Sequence, residues 1–438
     1  MRIPLRYSLP VGTALVLAGA LLIFFFMNLE ATRALLVQQL TGIPATETGA
    51  QAAVIQPIVE AETDDAALLH QRRGDMLALR GEWAEAQKEY QAAVDAQGGL
   101  TALRKLAQAE LQRRDIRGVR ATIDLLRREG ARDEDILLLE SIVLLRTGEL
   151  TKARELLNAA SSSPQQHYGL ALLAIMAGNH EEAKKELLGV SDGWEPALRS
   201  YAQTLLAAYD EFALFPQSPT VHLQTLLGHA LAEVQECEIA LPMLMQVTTS
   251  QSDYRDAWTV QGFCELTTER FTEALASLER AYQIDPEKPE IQYFLARAYI
   301  SLNDHGNAIT FLQYALRNGF EPQTEIRQLL AKEALAFGNP SLAIEQYESL
   351  TSLPDASVET YVNYVTAAIT AGRLQEASVK AEEAVKRWPE DAVALDLLGW
   401  TQMENGRREE AKTTLQRALL LNPALQSALE HLQTLGEQ

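Results

Sequence analysis

The sequence predicts an all-α chain: one transmembrane helix followed by an α-solenoid of helical hairpins. Three observations carry that expectation. Ala240, Ala274, Ala308, Ala343, Ala377 and Ala411 are spaced 34, 34, 35, 34 and 34 residues apart. Glycines keep a 34-residue step at Gly338, Gly372 and Gly406, as do prolines at Pro389 and Pro423. Residues 8–28 carry no charge, which at about 1.5 Å of rise per residue is enough helix to cross a bilayer.

A repeat of this length marks a stack of supersecondary units, because one unit cannot bury its own apolar face. The clearest unit is 255–288. Its small residues Gly262, Ala274 and Ala281 let two antiparallel helices approach to roughly 8–10 Å. Trp258, Phe271 and Leu278 fill the space around those contacts, and Pro286 stops the second helix. Gly338, Gly372 and Gly406 close first helices with a left-handed residue. The pattern resembles the tetratricopeptide repeat, a helix-turn-helix of about 34 residues.

In chain order, residues 1–7 form a cytoplasmic tip and 8–29 a transmembrane signal-anchor helix. Arg2 and Arg6 precede the span, while Arg33 is the one basic residue soon after it. Positive charge stays in the cytoplasm, so the repeat body is expected on the extracytoplasmic side of a single-pass protein. A cleaved signal would have a core of about 7–15 residues; this one is longer and ends in Phe24, Phe25, Phe26 and Met27, as an anchor does. Residues 30–66 read as a flexible linker, with Pro, Gly and small polar residues and too little apolar area to offset ordering.

A first sub-array of about four units occupies 67–194 in blurred form. Gly74, Gly81, Ala86, Tyr90 and Ala93 mark its first unit, Ala107 and Val119 its second. Ser141, Gly148 and Ala153 mark the third, and Ala171, Gly178 and Ala183 the fourth, whose second helix Gly189 and Gly193 should cut short. Ala183 and Ala240 stand 57 residues apart, 23 more than one repeat. The surplus reads as an extra helix, 196–215, within a break at 195–220 that should leave two sub-arrays unfolding separately. Six regular units fill 221–425, and a capping helix, 426–438, closes the end.

Composition bounds function. Against 38 basic residues stand 59 acidic ones, a net charge of −21 that argues against general nucleic-acid binding. The chain contains no phosphate loop, G-x-S-x-G or H-E-x-x-H motif, so neither enzyme nor cofactor is expected. His222 and His229 share a helix face but stand about 10.5 Å apart along the axis, too far for one metal ion. Cys237 and Cys264 fall in neighbouring repeats. One bridge or two inert thiols would suit them, and inert thiols are the expectation.

Tetratricopeptide proteins hold peptides or partner proteins in the concave groove lined by each unit's first helix, and the resemblance implies the same here. In the six regular units the fifth and ninth residues would line it: Thr225 and His229, Thr259 and Phe263, Tyr293 and Arg297, Gln328 and Lys332, Val362 and Thr366, Asp396 and Trp400. The groove expected to bind a partner is thus marked by Phe263, Tyr293, Arg297, Lys332, Thr366 and Trp400. Two cations beside two aromatics suit an acidic segment or a chain-terminal carboxylate. The plainer alternative pairs Arg297 and Lys332 with Glu290, Glu325 and Glu333 and packs the aromatics between helices. The clamp that some family members use for chaperone tails is incomplete here and is not carried over.

A second feature is a basic patch: Arg104, Lys105, Arg113, Arg114, Arg117 and Arg120. It would suit an acidic partner or anionic lipid, or else a solvated face of local ion pairs. The resulting expectation is a membrane-anchored, non-catalytic scaffold or substrate-binding chaperone in envelope assembly or secretion. The alternative is an accessory subunit recruiting substrate for a separate envelope enzyme, such as a polysaccharide machine.

Overall fold

The computed structural model describes residues 65–191, 196–215 and 217–437, all of them helix or connecting turn. The expected tip, anchor and nearly all of the linker lie outside the described residues. Among those described, no helix is long and apolar enough to cross a membrane. The chain divides into two compact units, 1–243 and 244–438.

The first unit opens with four hairpins: α1 (Ala66–Leu79) with α2 (Trp83–Asp95), α3 (Gly99–Gln112) with α4 (Ile116–Arg128), α5 (Asp133–Arg146) with α6 (Leu150–Ala159), and α7 (Pro164–Met176) with α8 (His180–Ser191). The extra helix is present as α9 (Pro196–Ala213), followed by α10 (Thr220–Glu233). It packs on both α8 and α10, so stacking continues through the insertion expected to interrupt it. Gly189 lies within α8 and does not end it.

Helix α11 (Cys237–Ser250) carries the division between units at Met243. The second unit continues with α12 (Arg255–Thr267) against α13 (Phe271–Ile284), α14 (Pro289–Ser301) against α15 (His305–Arg317), and α16 (Gln323–Ala336) against α17 (Pro340–Thr351). Then come α18 (Val358–Thr370) against α19 (Leu374–Arg387), α20 (Ala392–Glu404) against α21 (Arg408–Leu421), and the capping helix α22 (Gln426–Glu437).

Local chemistry sets these boundaries. Asp65, Asp115, Ser163, Asp304, Asn339, Ser357 and Asp391 accept from free N–H groups in the first turns of their helices. Gly338, Gly372 and Gly406 end α16, α18 and α20 at φ 79, 71 and 75°, in the left-handed region that an L side chain resists. The repeated alanines Ala274, Ala308, Ala343, Ala377 and Ala411 are fully buried, with the helix backbones closed over them.

The cysteine expectation is corrected. Cys237 and Cys264 are fully buried, and both are disulfide-bonded rather than free thiols.

Candidate functional site

The second unit contains a cavity of about 430 Å³ between the first helices of two successive hairpins. Gln328 and Lys332 of α16 form one wall, and Glu359, Thr360 and Asn363 of α18 another, with Ser357 at the start of α18. Tyr347 and Leu350 of α17 supply its apolar floor. Helical spacing puts Gln328 and Lys332 one turn apart on a single face, as it does Glu359 and Asn363. The walls therefore offer one ammonium, one carboxylate, two amides and two hydroxyls over a small hydrophobic base.

Lys332 is exposed, and no hydrogen bond or ion pair reaches it among the described residues. The carboxylates the sequence offered it are engaged elsewhere. Glu333 Oε2 lies 2.6 Å from His305 Nδ1, and Glu290 Oε2 lies 3.3 Å from Lys288 Nζ. Glu325 accepts the Tyr293 hydroxyl. Arg297 is likewise exposed; its guanidinium sits 5.9 Å from the centre of the Tyr293 ring rather than on a carboxylate. The pairing of Arg297 and Lys332 with these three glutamates is not what the structure contains.

The expected aromatics are less available. Tyr293 is 3% exposed and stacks on Phe320 at 4.4 Å, so it is a core residue and not an open groove anchor. Burial pushes its pKa up, with Glu325 adding and Arg297 opposing. Phe263 is half-buried against Phe294, ring centres 5.3 Å apart. Trp400 is half-buried under α22, stacked on His431 at 5.2 Å, and its indole N–H donates to Glu404. Thr366 is exposed. The structure thus leaves Arg297, Lys332 and Thr366 open, with the aromatics largely used in packing. Sequence reasoning missed Asn363, Thr360 and Tyr347, which fall outside the fifth and ninth places that guided it.

In the basic patch, Arg104 pairs with Asp135 at 3.2 Å and Arg114 with Glu238 at 3.0 Å. Lys105 pairs with Asp75 and Arg120 with Glu149, while Arg113 donates to Gln87. Of the six, Arg117 is exposed and unpartnered among the described residues. Ion pairs, three of them across neighbouring hairpins, therefore take up most of the positive charge. No group of residues that could hold a metal ion occurs among the described residues.

Profiles described as tetratricopeptide repeat match residues 225–289, 266–333 and 368–435. Residues 225–333 and 368–435 carry tetratricopeptide repeats. Repeats of this kind serve protein–protein interaction, and no catalytic domain is among the matches. No curated protein shows a significant match. Among solved structures, YrrB, described as a tetratricopeptide protein with an unusual peptide-binding site, is 19% identical, with a TM-score of 0.37, over 43% of this chain and 96% of its own. A tetratricopeptide protein of Thermus thermophilus is 17% identical over 47% of this chain and 100% of its own, at 0.30. Yeast Tom70 is 13% identical over 86% and 96%, also at 0.30.

Proposed function

We propose that this protein is a membrane-anchored scaffold whose tetratricopeptide repeats hold an extended segment of a partner in the α16–α18 cavity, with a partner carboxylate on Lys332. One observation carries the reading: an exposed ammonium, free of intramolecular partners among the described residues, on the wall of a cavity whose other lining residues are neutral except Glu359. A charge-assisted hydrogen bond to that ammonium is about twice as strong as a neutral one. Gln328 and Asn363 supply amides that can pair with a partner's backbone N–H and C=O groups, and Tyr347 and Leu350 supply apolar surface. Glu359 on the α18 wall disfavours a second acidic group there.

Peptides with free and amidated C-termini, titrated into the full chain, test this. Free-terminus peptides should bind more tightly, and Lys332→Ala should erase the difference. Equal affinity for both peptide forms would sink the carboxylate assignment.

The anchor belongs to the same proposal. Arg2 and Arg6 ahead of the uncharged run 8–28 support a cytoplasmic N-terminus and an exported body acting in envelope assembly or secretion. Disulfide-bonded Cys237 and Cys264 suit an oxidising compartment. Protease added outside right-side-out cells should digest the repeats; protection there, with digestion only from the cytoplasmic face, reverses the orientation.

A further inference from the structure

Hairpin stacks couple near neighbours along the chain, yet the first unit contains a contact between segments 89–121 residues apart. The turn between α10 and α11 carries Gln235 and Glu236, Glu238 follows in the first turn of α11, and this segment meets the ends of α3 and α5. At the last turn of α5, Arg146 donates from Nε to one oxygen of Glu236 at 2.9 Å and from Nη2 to the other at 3.1 Å. Nη2 also donates to the Gln235 carbonyl at 3.1 Å, and Nη1 to the Leu111 carbonyl of α3 at 2.8 Å. The Arg146 and Glu236 side chains are only 2% and 6% exposed. Beside them Arg114 pairs with Glu238 at 3.0 Å and reaches the Gln235 carbonyl at 3.4 Å. Tyr168 and Tyr201 lie near enough to respond to these charges, and the buried Tyr168 hydroxyl has no hydrogen-bond partner among the described residues.

The arginines hold this turn much as they would hold an acidic ligand: a forked guanidinium on one carboxylate, a second guanidinium on another, and a shared main-chain carbonyl. The backbone is unusual on both sides. Arg114 and Gln235 sit at φ 60 and 68°, where Gly81, Gly148 and Gly178 end the first helices of other hairpins. Arginine at that place accepts left-handed strain, and it projects a charge that glycine could not.

We propose that residues 235–238 form an internal latch, closing the first unit onto the ends of α3 and α5, and that release of this turn is a discrete opening motion of the unit. Closed, the latch ties α10 to hairpins on the far side of the inserted α9. Open, it leaves α9 and α10 held by stacking alone and uncovers the carboxylate-binding guanidiniums of Arg114 and Arg146. A buried charge pair broken on one side leaves the other charge uncompensated, so the opening depends steeply on either partner.

Hydrogen exchange of the full chain tests the latch. Glu236→Gln keeps shape and removes charge. Arg114→Gly removes the guanidinium and relieves the backbone, so it should fold even if the first variant does not. Both should raise amide exchange at residues 231–241 about tenfold or more, together with residues 111–116 and 146–149, while α1 and α2 stay protected. Gln235→Gly is the control: it relieves the same kind of strain yet keeps the carbonyl that both arginines use, and exchange should not rise. No rise in Arg114→Gly overturns the latch, as does a rise confined to the mutated turn or an equal rise in Gln235→Gly.

Discussion

A Cβ built on Gly262 would stand 2.5 Å from Cγ of Leu278, the fully buried leucine facing it across the α12–α13 hairpin. Gly399 and Leu415 repeat the relationship at 2.7 Å in α20 and α21. Glycine in a helix ordinarily costs about 1 kcal/mol relative to alanine. Here the extra methyl meets a packed side chain, and overpacking costs typically about 1–3 kcal/mol, so the cost of the clash should win. Gly262→Ala and Gly399→Ala are expected to lower the urea midpoint. Gly436→Ala, with nothing within 4 Å of the new Cβ, should raise it slightly. Stabilisation by all three would mean that the hairpins are not closed on these glycines.

The helix ends give a prediction of opposite sign. Glu269 and Asn303 end α12 and α14 at φ 60 and 59°, the place that Gly338, Gly372 and Gly406 hold in later hairpins. Glycine removes the left-handed strain, worth roughly 1 kcal/mol for an ordinary side chain and less for asparagine. Glu269→Gly should therefore stabilise the second unit, and Asn303→Gly should do so by less. Reversed order in thermal melts would place the strain elsewhere.

Glu110 makes stability depend on pH. Its side chain lies in the α3–α4 contact at 5% exposure, with Oε2 lacking a hydrogen-bond partner. Burial pushes its pKa up to about 7 from 4.5; Asp115 adds, while a hydrogen bond with Thr122 opposes. A carboxyl whose pKa is higher folded than unfolded costs nothing below about 4.5, and it costs progressively more as pH rises through 7. Glu110→Gln should match the parent near pH 4 and exceed it above pH 8. Urea melts across that range provide the comparison. A constant difference at every pH would trace the effect to packing.

The hairpins were legible because the same small residues return every 34 positions, and a helix interface that recurs leaves a recurring mark. Where the period blurred, the breakers marked the boundary only to within a few residues: Gly189 lies inside α8, which ends at Ser191. The site was legible only in part. Adjacent residues on a helix point about 100° apart, so Glu333 serves His305 in the preceding hairpin rather than its neighbour Lys332. Tyr293 holds a groove register, yet Phe320 and Glu325 bury it from outside its own hairpin. Register says which way a residue starts out, and the neighbouring hairpin decides whether it stays open. The turn at Glu236 was invisible for a related reason. Sequence periodicity carries information about neighbours in the stack, and Arg146 is 90 residues away.

The groove prediction turns on Arg297 and Lys332. Both are exposed, both stand at the ninth place of their units, and neither is neutralised by Glu290, Glu325 or Glu333. Changing each to glutamate removes no buried apolar surface, so helicity and melting should move by less than about 0.5 kcal/mol per site. Binding of a free-terminus peptide should respond strongly to Lys332→Glu, which puts a second carboxylate into a cavity that Glu359 already lines. Arg297 lies a hairpin away from the cavity and should act through the longer-range field, so raised salt should erase most of its contribution, since the Debye length falls to about 3 Å at 1 M. The Lys332 contribution should survive salt better, because a contact at hydrogen-bond distance lies within that length. Calorimetric titrations of the two single variants and the double variant, at low and high salt, separate the contributions. If the double variant keeps parental affinity while its fold is intact, the partner is held on another face. If Arg297→Glu matters and Lys332→Glu does not, the α16–α18 cavity is not where the carboxylate binds.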